Sequence, residues 1–133
     1  MRKLFATLIA VLLLTACTAN TDAPTYAALP ITGDPAAGQV IFQAGVKNAA
    51  ACSACHIVDD APPEVGPTLK GIAKAAGSRA AGQSAEVYLF TSIVNPNAYL
   101  VPGYAANIMP QTYAKTLSAQ QIRDLISYLL TLK

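Results

Sequence analysis

The chain has 133 residues, enough for one domain, and only 12% of them are charged. Nine Lys and Arg stand against seven Asp and Glu. Without Arg2 and Lys3, which open a leader, the balance is seven against seven; no basic stripe remains, and nucleic acid is excluded as a partner.

Met1-Arg2-Lys3 forms a short positive start, and residues 4–16 are a nearly unbroken apolar run. Thirteen residues are too few to span a bilayer but suit the hydrophobic region of a secretory signal. Leu14-Thr15-Ala16-Cys17 resembles a bacterial lipobox, in which the cysteine is lipidated and becomes the first residue. The reading is therefore a lipoprotein signal peptide over 1–16 and a lipid anchor at Cys17. The plainer alternative is an ordinary signal with an incidental cysteine. Anchoring on Cys17 places the protein on a bacterial cell membrane, at its periplasmic or outer face. Residues 17–33 are small and polar and are read as a flexible tether. The globular domain is expected over 34–133, a size at which a hydrophobic core alone is marginal.

Asp34-Pro35 is a helix start, with Asp as N-cap and Pro in the first turn. That helix is expected to run to about residue 44 and stop at Gly45. Gly38 and Phe42 share one of its faces, and a glycine inside a helix costs about 1 kcal/mol against Ala, which points to a close neighbour. Residues 47–56 are expected to form a second helical segment. Asp59-Asp60-Ala61-Pro62-Pro63 cannot remain helical. A short helix is expected from Pro67 to about 76, ended by Gly77, followed by a loop over 79–83. Ser84 caps a helix over 85–94, which Asn95-Pro96-Asn97 ends. Residues 98–113 carry Pro102, Gly103 and Pro110 and form an ordered loop, long enough to be functional. Ser118-Ala119-Gln120-Gln121 is a capping box, with Leu117 and Ile122 placed for a hydrophobic staple. Ile122, Leu125, Ile126 and Leu129 then follow the spacing of a helix with one buried face. No alternating strand pattern occurs, so the fold class is all-α.

The second of these segments ends in Cys52-Ser53-Ala54-Cys55-His56, a Cys-x-x-Cys-His sequence, which is the attachment signature of a c-type haem. Two thiols three residues apart meet one edge of the macrocycle, and the following imidazole is aimed at the metal. Two bland readings compete. A thioredoxin-like pair needs a βαβ context, and half of a zinc site needs further ligands in a chain with one histidine.

With the motif, Gly66-Pro67-Thr68-Leu69, Met109-Pro110 and the amphipathic last helix in this order, the domain resembles a class I monohaem cytochrome c over about three quarters of the chain. The resemblance implies a cytochrome c fold, with about four to five helices wrapped around one covalently attached haem c and its iron. Cys52 and Cys55 would carry the thioether links, and His56 and Met109 the axial bonds to iron. The Pro67 carbonyl would orient the His56 ring, Leu69 would pack on the haem, and Gly38 and Phe42 would cross Leu125 and Tyr128. Tyr88, Tyr99, Tyr104, Tyr113 and Arg79 are candidates for holding the propionates. The function implied is electron transfer, not enzymatic catalysis. The carrier would be either a membrane-tethered shuttle or the monohaem subunit of a quinol-oxidising complex such as alternative complex III. Its partners would then be redox proteins, multihaem cytochrome and integral membrane subunits among them. A haem enzyme or gas sensor with an open distal site is the alternative if Met109 is off the iron. The acidic residues Asp59, Asp60 and Glu64 are read as a solvated loop. Unlike mitochondrial cytochromes c, the chain has no ring of lysines, which favours a weakly polar docking interface.

Overall fold

The computed structural model describes residues 23–63 and 65–133. The readings that fall on the leader, on Cys17 and on Glu64 lie outside the described residues. Among the described residues five α-helices follow in chain order: α1 (Pro35–Ala44), α2 (Ile72–Arg79), α3 (Ala85–Val94), α4 (Tyr113–Thr116) and α5 (Ala119–Leu129). Single 3-10 turns occupy Tyr26–Ala28, Cys52–Ala54 and Pro96–Ala98. Among the described residues there is no strand, only an isolated bridge between Val46 and Ala49. The all-α expectation holds.

The expected cap chemistry of α1, α3 and α5 is present. The Asp34 carboxylate accepts the Ala36 amide at 2.8 Å, Pro35 fills the first turn, and Gly45 ends α1 at φ 68°. Ser84 Oγ accepts the Val87 amide at 3.3 Å. At the start of α5, Ser118 Oγ accepts the Gln121 amide at 3.2 Å while Gln121 Oε1 accepts the Ser118 amide at 2.8 Å. Leu117 and Ile122, the staple pair, are both buried.

Helices α1 and α5 cross at a close approach. A Cβ on Gly38 would stand 2.9 Å from Tyr128 Cβ and nearer still to the Asp124 carbonyl. The helix-interior glycine is thus explained by the backbone of α5. One turn on, the Phe42 and Tyr128 rings pack with centroids 5.4 Å apart. Ile72, Ile122, Leu125 and Ile126 are the largest fully buried side chains, and three of them lie on α5, which carries much of the core.

Three expectations are corrected. Residues 47–51 are not helical. Val46 and Ala49 exchange amide bonds at 3.0 and 2.9 Å around Asn48, which adopts a left-handed φ of 68°, a conformation Asn tolerates better than most residues. The helix expected from Pro67 starts later, at Ile72, because Gly71 turns left-handed (φ 69°) and residues 66–69 bond to the haem-motif segment instead. Gly77 does not end it; Ile72 and Ala76, both buried, hold that helix to the core as far as Arg79.

The third correction concerns the tether. Residues 26–33 pack on the domain as a strap across α3 and α5. Leu29 is 7% exposed and belongs to the core. The Tyr26 ring meets Phe90 edge-on at 5.7 Å, and its hydroxyl donates to Glu86. Arg123 donates to the Pro30 carbonyl at 2.7 Å and to Glu86 at 3.0 Å. Leu29 and Tyr26 make the strap's apolar contacts, and α3 and α5 supply the polar partners.

Candidate haem site

The haem-motif cysteines lie on the 3-10 turn Cys52–Ala54, closed by bonds from the Cys55 and His56 amides to the Cys52 carbonyl at 3.1 and 2.9 Å. With three residues per turn, side chains at i and i+3 eclipse, so Cys52 and Cys55 fall on one side. Neither thiol is in a disulfide.

His56 is held from behind. Its Nδ1 lies 2.8 Å from the Pro67 carbonyl. A carbonyl only accepts, so Nδ1 carries the proton and Nε2 is left with its lone pair, which is the form that ligates a metal. Gly66 makes this possible, because a Cβ there would come within 2.6 Å of His56 Cε1. The Gly66 amide bonds to the Cys55 carbonyl at 2.9 Å, and the Leu69 amide to the Ile57 carbonyl at 2.8 Å. Those two bonds fasten the Gly-Pro-Thr-Leu segment beside the motif.

Cys52, Cys55, His56, Pro67, Leu69 and Met109 line one and the same cavity. Its deep wall is apolar, with Ile72, Leu89, Ile93, Leu125 and Leu129. Its volume is ≈ 180 Å³, against the ~15 Å³ that one water needs. An apolar space of that size with two thiols at its edge and a free imidazole lone pair fits a porphyrin better than it fits solvent. All five propionate candidates, Tyr88, Tyr99, Tyr104, Tyr113 and Arg79, also lie on this lining. Tyr113 is already committed, since its hydroxyl donates to the Ala50 carbonyl at 3.1 Å.

Met109 is half-buried on the 99–112 segment, which is fixed by Asn97, expected only to end a helix, and by Asn107, not singled out from the sequence. Asn97 Nδ2 donates to Asn107 Oδ1 at 2.7 Å, and the Asn107 amide donates to Asn97 Oδ1 at 3.0 Å. Asn107 sits at a left-handed φ of 63°. The only signal in the sequence was the presence of Asn in a Pro/Gly-rich loop, where that conformation is common.

The bland readings of the cysteine pair lose their ground. Burial pushes the Cys52 thiol up to about 11, so it stays protonated at neutral pH and is a poor redox nucleophile. No βαβ unit occurs among the described residues, and no cluster of three or more His, Cys, Asp or Glu could hold a zinc ion there. The acidic loop is structural in its described part: Asp59 accepts the Ala61 amide at 3.0 Å, and Asp60 pairs with Lys70 in an exposed ion pair.

Residues 35–133 match the family model described as Cytochrome c. The chain belongs to the cytochrome c family. No curated protein matches it significantly. Cytochromes c bind haem c, with its iron, covalently, and Cys52 and Cys55 of this cytochrome c fit the attachment motif. Electron transfer by a c-type cytochrome is the activity of the family, whose members are typically carriers and not enzymes.

Proposed function

We propose that this cytochrome c is a membrane-tethered electron carrier with His56 and Met109 as axial ligands and Cys17 as its lipid anchor. One observation carries the ligand pair: His56 and Met109 line one apolar cavity together with Cys52 and Cys55, and the Pro67 carbonyl holds the other side of the His56 ring, at Nδ1. Met109 is the sole methionine apart from Met1. The bound haem supplies the one-electron couple of its iron. The Pro67 carbonyl fixes the imidazole tautomer and raises its basicity. Met109, as the second ligand, would raise the reduction potential and leave small molecules no open site. The apolar walls keep water from the centre.

The reading of Cys17 rests on the lipobox-like Leu14-Thr15-Ala16-Cys17 that follows the apolar run. Anchored there on a bacterial membrane, the protein serves either as a shuttle or as the monohaem subunit of a quinol-oxidising complex, alternative complex III being one such. Extraction in mild detergent separates the two, since a subunit co-migrates with multihaem and integral membrane proteins. The ligand pair is tested with carbon monoxide. The reduced wild-type protein should not bind it at neutral pH, and Met109→Ala should. Carbon monoxide binding by the wild type would favour a haem enzyme or gas sensor instead.

A further inference from the structure

The strap lies on the far side of α5 from the haem cavity. Leu125 and Leu129 face the cavity. Arg123 bonds to the Pro30 carbonyl, Gln120 Nε2 donates to the Thr32 carbonyl at 3.3 Å, and the Asp34 amide donates to Asp124 at 2.8 Å. At ~100° per residue these two sets of α5 positions centre about half a turn apart. Backbone approach is closest at Gly33, where a Cβ would stand 2.6 Å from the Arg123 carbonyl. The Arg123 guanidinium, itself nearly buried, also lies 5.4 Å from the Tyr26 ring centre. The cavity's exposed rim is elsewhere, at Val65, Leu100 and Ile108.

Chain length gives this placement a consequence. Between Cys17 and Tyr26 stand only residues 18–25. Whatever their conformation, they reach at most ~32 Å. A domain of this size has a radius of gyration of about 13 Å, so a path round half its girth is about 50 Å. Were the strap loose, the reach from Cys17 to Asp34 would be ~60 Å. The fastened leash is too short to let the domain turn its rim onto the bilayer, and the loose one is long enough.

We propose that residues 26–33 act as an orienting strap, which holds the back of α5 toward the membrane and turns the haem-cavity rim to the aqueous phase. The partner is then a protein or protein domain that stands clear of the bilayer, and its docking face is weakly charged to suit the apolar rim. The proposal rests on the reading of Cys17 as the anchor.

The test uses the full-length holoprotein in phospholipid vesicles containing nickel-chelating lipid. Nitroxide labels are attached at Ala28→Cys on the strap and at Ile108→Cys on the rim, and nickel-induced relaxation reports closeness to the headgroups. The strap label should relax several-fold more than the rim label. Inserting about eight Gly and Ser residues between Ala23 and Pro24 adds ~28 Å of reach without touching the fold, and should bring the two labels toward equality. Equal relaxation in the native-length protein, with a mass that shows lipid on Cys17, overturns the strap alone. A mature mass without lipid overturns the anchor, and the orientation with it.

Discussion

Gly66 shows how one atom governs this site. The His56 ring occupies the space a Cβ would fill, and the same segment offers the Pro67 carbonyl to Nδ1. Gly66→Ala must displace the ring or the segment. We expect a loss of about 1–3 kcal/mol, as for other overpacked cores, and an altered ferric spectrum, measured by denaturant unfolding and absorption. The thiols act earlier, during assembly of the holoprotein. Cys52→Ala with Cys55→Ala should abolish the haem stain of a denaturing gel and most of the folded protein. A double variant that folds normally without haem would refute the view that the cavity needs its porphyrin.

Helices α1 and α5 are the elements on which the domain depends, and their crossing tolerates no side chain at position 38. Gly38→Ala should cost more than the ~1 kcal/mol that helix propensity would return, so a net fall in the unfolding midpoint is expected. At the start of α5, Ser118→Ala removes half of the capping box and should cost about 1 kcal/mol. The 99–112 segment has no regular element to hold Met109, and the Asn97–Asn107 pair takes that part. Asn107→Ala loses both the side-chain bond and a residue suited to positive φ. Its expected effect is local: the unfolding midpoint shifts little, while carbon monoxide binding to the reduced protein becomes detectable as Met109 loosens.

At the scale of the whole molecule, the strap joins segments more than thirty residues apart through one charged cluster. The Tyr26 hydroxyl and then Arg123 hold the Glu86 carboxyl below its usual 4.5. Its contribution to stability is therefore full above pH 4.5 and lost as pH falls through the lowered value. Tyr26 is raised above 10.0, first by the bond to Glu86, so its contribution is full below pH 10 and lost as pH rises through the raised value. Amides of residues 26–33 should be protected from hydrogen exchange between these limits, relative to each pH's intrinsic rate, and lose protection outside them. Tyr26→Phe should remove the alkaline loss, leaving the acid one weakened.

Much of this architecture was legible because its signals are local. The caps of α1, α3 and α5, the apolar stripe on α5, and the spacing of Cys52, Cys55 and His56 are each written within a few consecutive residues, and each motif that marks a cytochrome c is as short, only their order spanning the domain. Only the tertiary structure decided the tight turn at Asn48, the late start of α2, the Asn97–Asn107 pair and the packing of residues 26–33. Apart from the Asn48 turn, which Val46 and Ala49 close locally, the backbone's choice there depends on partners farther along the chain. A short Pro-containing stretch is indistinguishable from a tether until Arg123, Gln120 and the back of α5 stand beside it to satisfy its carbonyls and bury Leu29.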